Sequence, residues 1–489
     1  MRLDALLAPW ALPVPAGIEI SDLTLDSSAV ARGSLFCAVA GGRHHGLDFA
    51  ADAVEAGAVA VLYEPAEGVQ PPTLPVPLLA LPGLRDALPA LGAHFYGEPA
   101  AALTLVGVTG TDGKSSVVHL LAQLLRACDI PTATLGTLGL DLGAGPRAGS
   151  HTTPDALRLQ AELAAARDAG CQVLAMEVSS HALDQGRVAG LPFAHAALTT
   201  LGRNHLDYHA SIADYYAAKR KLLAWPGLRS VHANGDAPLV RRAVAQAASD
   251  AGREVPVAWY GGSDDARWRS AEVRPSAEGL ALGLQSPLEA TLTLGLYGDF
   301  NAGNVLAAAS LAEACGAAPQ AIVDALPTLR TVPGRMDCLR APGRPTVLVD
   351  YAHTPDALEA ALSALRVHRP AALHCVFGCG GDRDRGKRPL MAAAAEKHAD
   401  AIVLTDDNPR GEDPEQIFAD TRAGFSGRRP VQEVHDRALA IRRAIAAAGP
   451  EDIVLIAGKG HEDYQLVGGQ RRAFSDHAIA RVALDEAEA

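Results

Sequence analysis

Short apolar runs recur along most of the chain, and each is followed by a polar or glycine-rich loop. Runs such as 102–106 (ALTLV) and 173–177 (VLAME) are apolar at nearly every position, which is typical of strands buried on both faces of a parallel sheet. The segment 117–126 carries apolar residues at helical spacing and predicts a helix with one buried face. The alternation predicts an α/β fold in which helices cover mostly parallel sheets.

A chain of 489 residues is too long for one ordinary core, so we expect about two to four domains. Turn-forming residues at 97–99 and 333–335 predict three: a small α/β domain (1–98), a central domain with a mostly parallel sheet (99–333) and a Rossmann-like, doubly wound domain (334–489). The apolar pattern further predicts strands at 23–28, 34–39, 58–62, 346–350, 373–377, 401–405 and 452–456, and helices at 50–56 and directly after an N-cap at Ser211.

Composition narrows the class of protein. Apolar residues make up 48% and charged residues 20% of the chain, as in folded globular proteins. The formal net charge of −13 argues against non-specific binding to nucleic acid or to an acidic membrane surface. Seven cysteines are few and odd in number, which favours free thiols over a disulfide framework. Because there is no long apolar run and no signal-like start, we expect a cytoplasmic protein without membrane insertion.

The stretch 107–116 (GVTGTDGKSS) joins a predicted strand to a predicted helix. Its glycines let backbone N–H groups curl around an anion, and the helix N-terminus adds a partial positive charge. Lys114 can reach outer phosphates, and the Ser115 hydroxyl can ligate Mg²⁺. The strict pattern G-x-x-x-x-G-K-[ST] is not met, because Val108 stands at its first position. An ordinary strand–helix turn is therefore the alternative to a phosphate loop.

Other polar groups follow the predicted strands. Glu177 ends a buried strand, where such folds hold a metal or its water, although a carboxylate there can also cap the next helix. Residues 201–209 (LGRNHLDYH) carry many metal-capable groups without zinc spacing, so a hard cation suits them better. In the third domain, charged or glycine-rich loops follow four strands, and we expect them to gather at the carboxyl edge of one sheet and bind an anionic small molecule.

Together these motifs resemble the Mur ligases of peptidoglycan synthesis over essentially the whole chain. Asp407-Asn-Pro-Arg410 resembles the motif with which one branch of that family selects meso-diaminopimelate over lysine. Asp112 departs from the family, which usually has Asn at this position. The resemblance rests on Gly110-Thr-Asp-Gly-Lys-Ser-Ser116, Met176-Glu-Val-Ser-Ser-His-Ala-Leu183, His205-Leu-Asp-Tyr-His209 with the helix to Lys219, Phe300-Asn-Ala-Gly-Asn304, Pro333-Gly-Arg335 and Asp350-Tyr-Ala-His-Thr-Pro-Asp356.

The resemblance implies a bacterial, ATP-dependent ligase that forms a peptide bond through an acyl phosphate, with Mg²⁺ as cofactor. It implies a uridine-binding first domain, an ATP-binding central domain of the P-loop type and an amino-acid-binding third domain. The partners would be small molecules: ATP, UDP-N-acetylmuramoyl-L-alanyl-D-glutamate and meso-diaminopimelate. No nucleic acid partner is expected, and we expect a monomer.

The resemblance also assigns roles to individual residues. Catalysis would rest on Lys114, Glu177, His205 and Lys219. One Mg²⁺ would be held by Ser115 and Glu177, and a second by His205 and Lys219, the last carbamylated to N6-carboxylysine. ATP would contact Gly110, Thr111, Asp112, Gly113, Lys114, Ser115, Ser116, Asn301, Arg335 and Asp350. The UDP-muramoyl-dipeptide would contact Leu25, Ser27, Gly42, Arg43, His44, His151, Thr152, Thr153, Ser179, Gln185 and Arg187. Diaminopimelate would contact Arg383, Asp407, Asn408, Pro409, Arg410, Gly458 and Glu462.

Three alternatives stay open at the level of sequence. The first is the same ligase using L-lysine, against which Arg410 speaks because its guanidinium suits a carboxylate. The second is a ligase similar to folylpolyglutamate synthase, which should lack the first domain and the Asp-Asn-Pro-Arg motif. The third is a P-loop ATPase switch or binding module, which would need no third domain with its own anion-binding loops.

Overall fold

The computed structural model describes residues 1–41, 44–147, 149, 151–202 and 208–486. These residues form two compact units, one made of Met1–Tyr260 with Ala309–Ala318 and the other of Gly261–Ala308 with Pro319–Ala489. The α/β fold with mostly parallel sheets is confirmed. The domain boundaries at residues 98 and 333 stay a prediction.

The first unit begins with a small four-stranded parallel sheet of order β1-β2-β3-β4. Strand β2 is buried at all five positions, as its apolar run predicts. The strand predicted at 23–28 is wrong in its second half, because the Asp26 carboxylate accepts the Ser28 N–H and begins a 3₁₀ turn there. The elements are α1 (Leu3–Leu7), β1 (Asp22–Thr24), β2 (Ser34–Ala38), α2 (Ala50–Glu55), β3 (Ala60–Tyr63), β4 (Leu78–Ala80) and α3 (Leu84–Phe95).

A second sheet in this unit carries the phosphate loop. Its strand order is β12-β11-β10-β5-β9-β6-β7-β8, and only the β6–β7 and β7–β8 pairs within this order are antiparallel. The elements are β5 (Thr104–Thr109), α4 (Lys114–Ala127), β6 (Thr132–Gly136), β7 (Gly139–Asp141), β8 (Pro146–Arg147), α5 (Ala156–Asp168), β9 (Val173–Glu177), α6 (Ser180–Asp184), β10 (Phe193–Leu198), α7 (Ile212–Leu223), β11 (Ser230–Asn234), α8 (Pro238–Ala251) and β12 (Val257–Gly261).

The core of this sheet explains why β5 and β9 are mostly apolar. Leu105, Leu174 and Met176 belong to one buried cluster and are fully buried. Helices on both faces exclude water from such strands, so alternation with polar residues is not required. Helix α7 begins after Ser211, whose hydroxyl accepts the Asp214 N–H, and this predicted N-cap is confirmed.

The next stretch of the chain forms an antiparallel ribbon of order β13-β14-β15. The sequence pattern did not predict these strands. Between Gly261 and Ala325 the elements are β13 (Trp268–Ser276), β14 (Gly279–Ser286), β15 (Ala290–Leu294), α9 (Phe300–Ala314) and α10 (Pro319–Ala325).

The second unit contains a doubly wound sheet of order β16-β17-β21-β18-β19-β20, parallel except at β16. The strands predicted at 346–350, 373–377 and 401–405 are confirmed, and the one at 452–456 is shifted by one residue. The elements are β16 (Asp337–Leu339), β17 (Thr346–Asp350), α11 (Pro355–Arg366), β18 (Leu373–Phe377), α12 (Lys387–His398), β19 (Ala401–Thr405), α13 (Pro414–Arg422), β20 (Val431–Val434), α14 (Arg437–Ala447), β21 (Ile453–Ala457), β22 (Tyr464–Val467), β23 (Gln470–Ala473) and α15 (Asp476–Asp485).

All seven cysteines are free thiols. Within the described ranges, no helix combines the length and the apolar composition needed to cross a membrane.

Candidate active site

The loop between β5 and α4 has the geometry of a phosphate-binding turn. Gly110 has a φ of 151°, and a Cβ atom there would lie 1.9 Å from Thr199 Oγ1, so only glycine fits. The N-cap Gly113 is left-handed, and the helix starts at Lys114. Ser115 lies half-buried in the first turn of α4. Backbone N–H groups at a helix start form a site for anions.

The end of β10 fixes this loop from the side. Thr199 Oγ1 donates to the Asp112 carbonyl oxygen at 2.5 Å, and the Asp112 N–H donates to Thr200 Oγ1 at 2.9 Å. The Thr111 hydroxyl lies 3.2 Å from the Tyr215 hydroxyl. Asp112 is therefore held through its backbone, while its side chain is exposed.

Two lysine side chains converge on this loop. Lys114 Nζ donates to the carbonyl oxygens of Gly110 at 3.0 Å and Thr111 at 2.9 Å. Lys219 Nζ, from α7, donates to the same Gly110 carbonyl at 2.6 Å. The structure thus brings Lys114 and Lys219 together, as the family resemblance implies.

Lys219 is an unusual lysine, since only 2% of it is exposed. Burial, with the positive charge of Lys114 as a second cause, lowers its pKa to about 6. Its Nζ lies 4.5 Å from the Tyr215 ring centroid. Lys221, two residues on, is 50% exposed and pairs with Asp184. The two neighbouring lysines therefore have opposite environments.

Glu177 lies where the sequence predicts, at the end of β9 beside β5. It is 3% exposed, and its two carboxylate oxygens accept the Thr137 N–H at 2.8 Å and the Thr137 hydroxyl at 3.3 Å. Thr137 was not predicted from sequence. Its hydroxyl also lies 3.1 Å from that of Thr152, so Thr137 links the carboxylate to the predicted substrate residues.

Two cavities open next to this sheet within the first unit. One has a volume of about 370 Å³ and is lined by Leu25, Tyr96, His151 and Arg158, among others. The other has a volume of about 200 Å³ and is lined by Leu25, Arg85, His151, Gln185 and Arg187, among others. Four of the predicted substrate residues therefore line cavities, and Leu25 and His151 line both.

Other predicted substrate residues support these walls. Arg187 donates to the Thr153 carbonyl at 2.8 Å and to Gln185 Oε1 at 2.6 and 2.9 Å, and burial lowers its pKa. The Thr153 hydroxyl donates to the Glu177 carbonyl oxygen at 2.9 Å. Ser179 is the N-cap of α6. These contacts tie the second cavity to the strand that carries Glu177.

The remaining predictions in this unit have mixed outcomes. Ser27 lies in the 3₁₀ turn and does not line either cavity. His44 is exposed and lies 3.6 Å from an Asp48 oxygen. Gly42, Arg43 and His205 lie outside the described residues.

Three predicted nucleotide contacts lie in the second unit. Asn301 is buried, and its amide donates to the Tyr297 carbonyl and accepts from Asn304. Asp350 is the last residue of β17. Its carboxylate accepts hydrogen bonds from the backbone N–H groups of residues 336 and 352, both at 2.8 Å, and burial raises the pKa of this carboxyl group. Arg335 is exposed, and its guanidinium lies 5.1 Å from the Tyr351 ring centroid. Nucleotide contact by these residues stays a prediction.

The loops after β18 and β19 interlock in the second unit. The Gly381 N–H donates to the Asn408 carbonyl at 2.9 Å, and a Cβ atom at Gly381 would lie 1.9 Å from the Pro409 oxygen. Glycine is therefore required for the two main chains to touch. Arg410 has a φ of 56° and donates through Nη1 to the Gly381 carbonyl at 2.8 Å. Arg383 lies exposed on the first of these loops.

The loop after β21 completes a polar pocket. Lys459 is fully buried and contacts Asn408 and Glu462. A Cβ atom at Gly458 would lie 3.9 Å from Asp407, so the backbone passes close to that carboxylate. The predicted gathering of loops at the carboxyl edge is confirmed for β17, β18, β19 and β21.

A buried ion pair anchors this pocket from below. Arg437 and Asp476 are both fully buried and form two hydrogen bonds of 2.7 Å. Arg437 also donates to the Ala457 carbonyl at 3.0 Å and to the Asp406 carbonyl at 3.4 Å. It thus fixes the ends of two strands whose loops form the pocket.

Three family models match this chain. Residues 19–96 match the model of the Mur ligase family catalytic domain, 108–312 that of the Mur ligase middle domain and 334–460 that of the Mur ligase glutamate ligase domain. A protein from Alkalilimnicola ehrlichii named UDP-N-acetylmuramoyl-L-alanyl-D-glutamate–2,6-diaminopimelate ligase is 47% identical over 499 residues, covering 100% of this chain and 99% of its own.

Solved structures give the same picture. One titled as a UDP-N-acetylmuramoyl-L-alanyl-D-glutamate–2,6-diaminopimelate ligase has a TM-score of 0.72 and 35% identity, covering 100% of both chains. Folylpolyglutamate synthase from Mycobacterium tuberculosis, in complex with ADP, has a TM-score of 0.58 and 20% identity. It covers 77% of this chain and 94% of its own, and this likeness concerns the fold alone.

Proposed function

This chain belongs to the Mur ligase family, and we propose that it joins meso-2,6-diaminopimelate to UDP-N-acetylmuramoyl-L-alanyl-D-glutamate at the expense of ATP. The class of enzyme, an ATP-dependent ligase that forms a peptide bond, follows from the family. Full-length similarity to proteins named for this reaction is the observation that carries the choice of substrates.

The chemistry requires activation of a carboxylate. A free carboxylate is a poor electrophile, so its oxygen first takes the γ-phosphoryl group of ATP to give an acyl phosphate. The amine of the incoming amino acid then attacks the acyl carbon and phosphate leaves. Because negative charge gathers on the transferring group, Lys114 and the N–H groups at the start of α4 are the residues suited to stabilise it.

The donors present fit Mg²⁺. Ser115 and Glu177 offer oxygen ligands, which hard cations prefer. In proteins Mg²⁺ takes most of its remaining ligands from phosphates and water. Ser115 and Glu177 would hold one ion, and His205 with a carbamylated Lys219 would serve a second. When bound, Mg²⁺ supplies positive charge next to the phosphate oxygens.

The environment of Lys219 supports its carbamylation. An amine adds to CO₂ only as the neutral base, losing one proton as the N–C bond forms. Burial lowers the pKa of Lys219 to about 6, so the base predominates at neutral pH. The product is an anion. Lys114 is the cation beside it, since both lysines donate hydrogen bonds to the Gly110 carbonyl oxygen. Carbamylation would turn a group that cannot ligate a cation into one that can.

The pocket of the second unit suits a diamino acid with two carboxylates. Arg410 and Arg383 offer guanidinium groups, which bind carboxylates through paired hydrogen bonds. Glu462 offers a carboxylate for an ammonium group. L-lysine lacks the second carboxylate, so it would leave a guanidinium without its partner. A folylpolyglutamate synthase is disfavoured because residues 19–96 match a Mur ligase domain and the Asp407–Arg410 motif is present.

We place the enzyme in the bacterial cytoplasm, where ATP is available, and infer that it acts as a monomer. Light scattering coupled to gel filtration tests the monomer directly. A mass of twice 50.6 kDa would contradict it.

Phosphate release tests the reaction. The purified protein is given ATP, Mg²⁺ and the UDP-muramoyl-dipeptide, and then either meso-diaminopimelate, L-lysine or no amino acid. Of these three assays, only the one with diaminopimelate is expected to release phosphate rapidly, and its product should be a UDP-tripeptide detected by mass spectrometry. Equal rates with both amino acids would refute the choice of diaminopimelate, and release with neither would refute the ligase.

A further inference from the structure

Lys459 has no exposed surface, yet it lies among the residues assigned above to diaminopimelate. A buried ammonium group is costly unless polar partners surround it. Its Nζ donates to Asn408 Oδ1 at 3.0 Å and to Glu462 Oε2 at 3.1 Å, and it lies 3.5 Å from Asp407 Oδ1. The Tyr464 ring centroid is 5.6 Å away. All three polar partners belong to the proposed amino-acid pocket.

The ammonium group is one of two donors that orient Asn408. Lysine can only donate hydrogen bonds, so the amide must turn its oxygen towards Nζ. The same oxygen accepts the Leu466 N–H at 2.9 Å. The amide nitrogen is thereby turned to Glu462, where it donates to Oε2 at 3.0 Å. The buried charge and the Leu466 N–H thus hold the amide oxygen, and Lys459 also holds the Glu462 oxygen that the amide nitrogen contacts.

Glu462 is oriented by the same arrangement. Oε2 accepts from Lys459 and from Asn408, and the Glu462 N–H donates to the Lys459 carbonyl at 2.9 Å. Oε1 accepts no hydrogen bond from any residue that the structure describes. With one oxygen held twice, the carboxylate is left with a single oxygen for a ligand.

We propose that Lys459 is a positioning residue for the amino-acid substrate: it holds Asn408 and Glu462 so that Glu462 Oε1 receives an ammonium group of the diamino acid. Its charge also offsets part of the negative charge of Asp407 and Glu462, which would otherwise repel each other. Lys459 is not a substrate contact, since it has no exposed surface. The inference rests on the proposed function, because it presumes that the pocket takes an amino acid with two amines.

The test is the Michaelis constant for each substrate in the Lys459→Met variant, which keeps the length and removes the charge. We expect KM for diaminopimelate to rise at least about tenfold, while KM for ATP and for the UDP-muramoyl-dipeptide stays within about twofold of the wild type. Lys397→Met is the matched control, because Lys397 is 63% exposed and pairs with Glu359 on the surface. It should leave all three constants unchanged.

A double variant tests the route of action. If Lys459 acts through Glu462, then Lys459→Met added to Glu462→Gln should raise KM for diaminopimelate by no more than about twofold over Glu462→Gln alone. Multiplying effects of the two substitutions would overturn the proposal. So would an unchanged KM for diaminopimelate in Lys459→Met, or an equal rise in all three constants.

The Michaelis constant distinguishes a folding defect from a loss of function. KM does not depend on the concentration of active enzyme, so a poorly folding preparation still reports it. Lys459→Gln, which loses the charge but keeps an N–H donor, replaces the methionine variant if that one is insoluble, and its rise in KM for diaminopimelate should be smaller but still above about twofold. A wild type that releases no phosphate with diaminopimelate refutes the proposed function, whereas an active wild type with unaltered variants refutes the role of Lys459 alone.

Discussion

Acidification should destabilise the first unit through one buried chain of hydrogen bonds. His195 Nδ1 lies 2.7 Å from Ser230 Oγ, which lies 2.8 Å from His232 Nε2, and His232 Nδ1 lies 2.7 Å from Ser310 Oγ. Both rings are buried. Burial lowers the pKa of His195 to about 4, with Arg229 as a second cause, and that of His232 to about 3, with His195 as a second cause.

Proton linkage gives the sign and the size of this change in the free energy of unfolding. A histidine in the unfolded chain has a pKa of about 6.5. On acidification both rings therefore take up a proton in the unfolded chain at pH values where they stay neutral in the folded chain. The stabilisation is complete above about pH 6.5 and is lost as the pH falls towards the folded values. On acidification from about pH 7.5 to about pH 5, each ring lowers the free energy of unfolding by about 2 kcal/mol, and the two rings together lower it by about 4 kcal/mol. Both folded values lie below pH 5, so the total depends little on either.

Urea unfolding followed by intrinsic fluorescence measures this loss. The wild type is compared at the two pH values with a His195→Gln/His232→Gln variant, whose amides can still bond to the serines but do not titrate. The wild type should lose about 4 kcal/mol more than the variant on acidification. Equal losses would refute the reasoning, because they would show that the two rings take up no extra proton on unfolding.

Two further predictions concern the catalytic groups. Lys219→Ala should abolish phosphate release, and added bicarbonate should not restore it. The control is Lys221→Ala, at an exposed position, which should release phosphate at a near-normal rate. A near-normal rate for Lys219→Ala would contradict the carbamate role. Thr137→Val should lower kcat about tenfold or more, because the hydroxyl that holds Glu177 is lost. Thr132→Val, which removes a buried hydroxyl bonded to the Ile130 carbonyl instead, is its control, and equal rates for the two threonine variants would argue against a positioning role of Thr137.

Much of the fold could be predicted because it is built from strands buried on both faces. The strands at 346–350 and 401–405 are short apolar runs in the sequence, and each lies between two neighbouring strands of the sheet. Strand β23 could not be predicted in this way, since all four of its residues are exposed. The predicted strand at 23–28 was too long because the Asp26 turn competes locally with extended backbone.

The site was predictable where it follows from topology or from a motif. Glu177 is at the carboxyl end of a strand next to the phosphate loop, as parallel strands require. Thr137 and Lys459 belong to no motif that points to their contacts. Their roles depend on which loops meet in space, and Lys459 in the sequence looks like an ordinary loop lysine. Burial of its charge is visible only in the fold.

The interlocked loops after β18 and β19 have a consequence for how substrate preference can change. Only glycine fits at position 381 because the Pro409 main chain lies against it, and the Gly381 carbonyl accepts a hydrogen bond from Arg410. Exchange of either loop alone with that of a relative would set mismatched backbones against each other. The two segments should therefore be inherited together, and a library that diversifies 407–410 while leaving 378–383 untouched should yield mostly inactive enzymes rather than new specificities.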